Sequence, residues 1–269
     1  MKKFIFTVFY LFAFHKMHAA WVRPAGEAYV QLGGSYTSAA SVYDSTGAKR
    51  AIPRFTEVAT NIYGEFGLTK SWTMGYALPL LFSNQVEDAA LAQGAKSASG
   101  LGDSIWSNRY QLYSGTVLIS AGLDIGIPTG NRNAVIPLGD GEASVMPKMM
   151  VGGGFTLGLP GFYLISAGYN KRTIGFSDEV HGGAMSGLTA GQFTFILSLE
   201  LRQSLKNGDG GNLNESPLLL NNASFASWSA GTVFKATERL QILAFYKGGL
   251  FVRNILGAAS LSVVVGYLF

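Results

Sequence analysis

Apolar and polar residues alternate with a period of two over most of this chain, the spacing of strands that have two unlike faces. Phe193, Phe195, Leu197, Leu199 and Leu201 share one face, opposite Thr194, Ser198, Glu200 and Arg202. Val117, Ile119, Ala121, Leu123 and Ile125 lie against Thr116, Ser120, Gly122 and Asp124, and Trp72, Met74, Tyr76, Leu78 and Leu80 against Thr73, Gly75 and Ala77. The chain closes on the same pattern, with Leu261, Val263, Val265, Tyr267 and Phe269 set against Ser260, Ser262 and Gly266. Cut at its glycine-rich and polar turns, the sequence predicts strands at about 26–37, 55–68, 71–82, 103–113, 115–127, 143–157, 161–173, 178–189, 192–204, 224–235, 239–251 and 256–269. Their connections alternate in length. Short turns at Thr69-Lys70, Ser114, Gly158 to Pro160, Ala190-Gly191 and Ala236 to Glu238 are interleaved with longer loops at 38–54, 83–102, 128–142, 174–177 and 205–223. The last connection, around Val252 to Ile255, is short.

The long uncharged stretches do not read as helices. Met149 to Asn170 holds six glycines and Pro160, and Val180 to Leu199 is broken by Gly182, Gly183, Gly187 and Gly191. Strands of this length suffice to cross a membrane when tilted, and short turns on one side with long loops on the other are the habit of outer-membrane barrels. The expected fold is therefore all-β: a transmembrane antiparallel up-and-down β-barrel of about 12 strands. Closure follows because hydrocarbon offers no partner to an edge strand's N–H and C=O groups. A soluble β-sandwich would also alternate, but it would rarely leave so few charges for its outer faces.

Composition agrees. Charged residues are 13%, against roughly 25% in an average soluble domain, while aromatics reach 13% and mean hydropathy is +0.24. That excludes a disordered chain, and the 35 glycines lack the period of three that collagen needs. The first twenty residues look like an export signal: Lys2 and Lys3 precede an apolar run from Phe4 to Phe14, too short to span a bilayer as a helix, and Ala19-Ala20 offers a cleavage site. His18 departs from the small residue expected there. The reading is thus a signal peptide over 1–20 and a barrel over 21–269, placed in the bacterial outer membrane. Without the signal's Lys2, Lys3 and Lys16 the chain has 17 basic against 16 acidic residues, and no nucleic-acid surface is indicated. The absence of cysteine removes disulfides and a lipid-attachment site.

Several motifs, in order, resemble the outer-membrane barrels named for a meta-pathway of phenol degradation. They are Ala20-Trp21 with Pro24 and Gly26; Tyr63-Gly64-Glu65-Phe66-Gly67-Leu68-Thr69; Ser99-Gly100-Leu101-Gly102-Asp103 leading to Arg109-Tyr110-Gln111-Leu112; and Gly126-Ile127-Pro128-Thr129-Gly130-Asn131. Gly139-Asp140-Gly141-Glu142, Tyr169-Asn170-Lys171-Arg172, Gly175-Phe176-Ser177-Asp178-Glu179, Arg253-Asn254-Ile255 and Tyr267-Leu268-Phe269 continue the series. The resemblance implies an outer-membrane barrel, with a relation to channels for hydrophobic compounds, and no enzyme of phenol breakdown. Terminal Phe269 also resembles the final aromatic by which barrel-assembly machinery recognises its clients.

The residues offer little for catalysis. Beyond the signal only His181 remains to serve as a histidine base, and no serine pattern accompanies it, so it reads as a lumen or rim residue. One histidine and no cysteine argue against a metal centre or cofactor, and Asp140-Gly141-Glu142 reads as a polar turn before it reads as a calcium loop. The inward faces say more. Parity places Glu57, Glu65, Arg109, Asp124, Lys148, Arg172, Glu200, Arg202 and Lys247 in the lumen, as ion pairs that stiffen it or as a polar constriction. Leu118, Met146, Met150, Leu164, Ile196, Leu243 and Phe245 share those faces, a mixture suited to an amphiphilic or aromatic solute. Trp72, Trp106, Tyr110, Tyr163, Tyr169, Trp228, Tyr246 and Tyr267 read as headgroup-level aromatics in contact with outer-membrane lipid. Two functions stand: a passive, porin-like channel for small hydrophobic or aromatic solutes, or a closed structural or export-accessory barrel.

Overall fold

The structure, a computed structural model, describes residues 21–86, 94–208 and 221–269. The proposed export signal and parts of two long loops lie outside the described residues. Thirteen strands follow one another: β1 (Ala28–Tyr43), β2 (Lys49–Thr69), β3 (Trp72–Gln85), β4 (Lys96–Leu101), β5 (Ser104–Ser114), β6 (Val117–Ile127), β7 (Ser144–Leu157), β8 (Leu159–Arg172), β9 (Glu179–Ala190), β10 (Phe193–Ser204), β11 (Ser224–Lys235), β12 (Leu240–Arg253) and β13 (Ile255–Leu268). Sequence neighbours pair antiparallel around the sheet, and β13 pairs with β1, so the sheet closes. Two strands share one position in the wall: β4 lies against Leu80–Gln85 of β3, and β5 against Trp72–Ala77. The result is a closed antiparallel barrel of twelve staves, the expected fold.

Two long loops carry more strand than their sequences predict. The 38–54 loop is mostly a continuation of β1 and β2, with a tight turn at Asp44, whose carboxylate accepts the backbone N–H groups of Thr46 and Ala48 at 2.9 and 3.0 Å. Within 83–102, β3 runs on to Gln85 and Lys96–Leu101 forms β4. Both escape a pattern reading for the same reason. Beyond the lipid level both faces of a strand are wet, so alternation vanishes although pairing continues. The stave breaks at Gly102-Asp103, where the Asp103 side chain turns to the 128–143 connection. Its carboxylate accepts the N–H groups of Gly130 and Asp140 at 2.9 and 2.8 Å and pins the 128–143 connection to the wall.

The outward faces are apolar and open. Leu197 and Phe195 are each 57% exposed, and Trp72, Trp106, Tyr110, Tyr169, Tyr246 and Tyr267 are exposed on the same surface. The inward faces are smaller and more polar, and glycine makes the narrow interior possible. A Cβ on Gly187 would strike the Phe162 ring, and one on Gly231 the Phe245 ring, so each large inward side chain lies flat across a neighbour that has none.

Candidate functional site

Residues along the lumen form layers. At the end that carries the short turns, the start of β1 and the end of β13, residues 21–26 fold inward. Arg23 is buried, its Nε 2.8 Å from Glu65 Oε2 and its backbone N–H donating to Thr73 Oγ1 at 2.7 Å. Its guanidinium also lies 4.3 Å from the centre of the Tyr29 ring. Arg109 binds the same carboxylate at 3.0 Å and donates to the Trp21 carbonyl at 2.6 Å, while the Tyr63 hydroxyl donates to Glu65 at 2.6 Å. A buried carboxylate shared by two guanidiniums and a phenol is well compensated, so the segment is fastened as well as placed. Trp21 then reaches across to Phe162, edge to face at 6.2 Å, and packs on Leu118, Met150 and Leu164. Ile196, Val233 and Leu243, with Met185 and Phe245 against them, fill the adjoining sector. This end of the lumen is packed.

The middle is hollow. Lys148 donates to Asp124 at 2.6 Å, Lys247 pairs with Glu200, and Ser198 shares a hydrogen bond with Ser229 at 2.6 Å. A cavity of about 470 Å³ opens there, floored by Leu164 and Met185 and edged by Lys148, His181, Arg202 and Lys247. A second, of about 400 Å³, continues toward the long loops, bounded by Asp140, Arg172 and Phe176. Both touch Arg202, Phe225 and Lys247, which stand where the two meet.

At the loop end Arg172 gathers three carboxylates: Glu142, Glu179 at 3.0 Å and Asp140 at 2.8 Å. It also lies 4.2 Å from the Phe176 ring centre. Glu179 is shared with His181 Nε2 at 2.9 Å and Arg202 Nε at 3.4 Å. Asp140 and Glu142 come from the 128–143 connection, which turns inward with Ile136 and Leu138 buried. Burial pushes the Asp140 carboxyl up to about 6, against the backbone N–H that Glu142 donates to it and the charge of Arg172, while the charge of the Glu142 carboxylate adds to the rise; burial raises Glu142 as well. Asp178, between β8 and β9, goes the other way. The Arg172 N–H, with Tyr169, Asn207 and Lys171, holds its carboxylate well below the usual range.

The residues expected in the lumen by parity do not form one ring. Glu65 and Arg109 meet at the turn end; Asp124 with Lys148 and Glu200 with Lys247 meet in the middle; Arg172 and Arg202 converge on Glu179 near the loops. Glu57 stands apart, accepting from Ser83 at 2.9 Å. Sequence reasoning missed Arg23, Asp140, Glu142 and Glu179 as lumen groups. Glu179 had a signal, since it shares parity with His181. The other three lie on segments without alternation. Among the described residues no cluster of three or more His, Asp or Glu is set to hold a metal.

No family model matches the chain, and no curated protein is similar to it by sequence. Solved structures are. An outer-membrane channel from Pseudomonas putida F1 superposes with a TM-score of 0.74 at 16% identity, covering 93% of this chain and 98% of that one. The NanC porin follows at 0.56 and 10% identity, covering 88% and 98%. The translocator domain of the autotransporter NalP from Neisseria meningitidis gives 0.50 at 12%, covering 91% and 89%. At these identities the likeness is one of fold. The fold is that of an outer-membrane β-barrel.

Proposed function

We propose that this protein is a passive channel of the bacterial outer membrane for small hydrophobic or aromatic solutes. The observation that carries the reading is a pair of lumen cavities, one at mid-barrel and one toward the loop end, that share Arg202, Phe225 and Lys247 in their walls. A barrel that served only as a wall would gain stability by filling that space, since apolar packing stabilises and voids forfeit it. Apolar floor and charged rim together suit a solute with both characters, in the size range of small-molecule sites. The packed turn end, with residues 21–26 across it, is then the gate, and transport requires that segment to shift. The lipid-facing aromatics, the resemblance to hydrophobic-compound channels and the expected export signal support the same location.

A closed structural barrel is the second reading, favoured by that same packed end. A catalytic role has no support: the one described histidine, His181, hydrogen-bonds only to Glu179. Purified protein refolded into planar bilayers decides between channel and wall. Discrete conductance, rising when residues 21–26 are removed, is expected of the channel. Silence from both the full barrel and the truncated one would establish the closed structure.

A further inference from the structure

The place where the cavities meet has a specific chemistry. Among the described residues Arg202 makes one ion pair, through Nε at 3.4 Å from Glu179 Oε2, not aligned as a hydrogen bond, and Nε is left buried without one. Neither terminal nitrogen of that guanidinium donates to a protein group among the described residues. Glu179 is also held, at closer range, by Arg172 and His181. The Arg202 guanidinium instead lies 5.5 Å from the centre of the Phe225 ring, with about a third of its side chain open to the lumen. Lys247, on β12 two staves along the wall, is tied among the described residues to Glu200 of Arg202's own strand, and both are about half exposed. At the loop end Glu142 pairs with Arg172, Glu179 with Arg172 and Arg202, and both acids are almost wholly buried. What the void meets is therefore a planar fork of free donors, an ammonium, an aromatic face and, one layer below, Leu164 and Met185.

We infer that this junction is a binding site for an organic monoanion, a carboxylate carried on an aromatic or short aliphatic body. A guanidinium fork matches a carboxylate's two oxygens, Lys247 adds a second positive charge, and the body lies along Phe225 or on the Leu164–Met185 floor. A neutral hydrocarbon would leave the Arg202 donors unsatisfied in a partly dehydrated site, which is costly. A simple inorganic anion would leave the ring and floor unused. Glu200 and Asp140 are the opposing charges on the lining, and they exclude dianions more strongly than monoanions. The inference narrows the channel reading to a solute class, and its physiological meaning rests on that reading.

The test compares benzoate with benzyl alcohol, which has the same ring without the charge, by calorimetry on the full-length refolded barrel and by block of ionic current. Benzoate should bind at least tenfold more tightly than benzyl alcohol. Arg202→Gln should lower benzoate affinity tenfold or more, and Lys247→Gln by severalfold, while Lys235→Gln, a loss of equal charge at the turn end, should leave it alone. If Arg202→Gln fails to give the heat-modifiable form of a folded barrel, Lys247→Gln and the benzoate-to-alcohol ratio still decide. Equal affinity for the two ligands, or benzoate affinity unmoved in the folded variants, overturns the site. Benzoate binding without conductance would retain the site and refute the channel. Conductance without benzoate binding would do the reverse.

Discussion

The inside–outside parity of the barrel is tested most sharply on two adjacent residues. Leu197 is the third of five apolar outward side chains on β10, Phe193 to Leu201, which together span about 27 Å along the strand at roughly 3.4 Å per residue. At a tilt of about 35–45° that is about 19–22 Å of depth, most of an apolar band of about 25 Å, and Leu197 is at its middle. An arginine facing lipid at that depth costs about 2–4 kcal/mol, or roughly 30- to 900-fold in the folding equilibrium. Ser198, one residue on, points into the 470 Å³ cavity beside Glu200. An arginine there loses the hydrogen bond to Ser229, worth about 1 kcal/mol, and gains a carboxylate partner and room. Leu197→Arg should therefore shift urea unfolding in lipid vesicles by about 2–4 kcal/mol and cut the yield of heat-modifiable barrel, whereas Ser198→Arg should stay within about 1 kcal/mol of the parent. Equal destabilisation of the two, or the reverse order, would refute the membrane-facing assignment of the whole surface.

Other perturbations test the layers of the lumen. Arg172→Met strands Asp140, Glu142 and Glu179 together, and removing one partner of a buried pair costs about 3–5 kcal/mol. A lower melting temperature and new protease cleavage between 128 and 142 are expected, and an unchanged digest would show that the cluster does not hold that loop. Because burial lifts Asp140 from 3.8 to about 6, folding favours its protonated form. Its contribution is complete below about pH 4 and is lost as pH rises through about 6. With the side chain about a third exposed, the gain from about pH 7.5 to 5 should be about 1 kcal/mol after allowing for solvent screening. Asp140→Asn should flatten that pH dependence of melting, and an equally steep profile in the variant would assign it elsewhere. Glu65→Gln weakens the hold on both Arg23 and Arg109, so open-channel events should lengthen. Unaltered gating would mean that residues 21–26 do not obstruct the path.

The wall of the barrel is legible in the alternation of the chain. Lipid on one side and a polar lumen on the other impose period two wherever a strand crosses the bilayer, so strands such as 224–235 and 192–204 are legible to within a residue of β11 and β10. The same parity carried Arg109, Asp124, Lys148, Glu200 and Lys247 to the inside, because charge is expensive toward hydrocarbon. Where that contrast disappears, so does legibility: the extensions of β1 and β2, and all of β4, lie where water wets both faces. What fills the lumen follows from closure of the barrel and is not legible in that pattern. That Trp21 meets Phe162, that Arg23 and Arg109 share Glu65, and that Asp140 and Glu142 swing in to clamp Arg172 all depend on segments with no repeating pattern brought together across the closed barrel. Alternation specifies which way a side chain points. It does not specify which of the other staves it meets, since that follows from strand order, shear and the inward course of the loops.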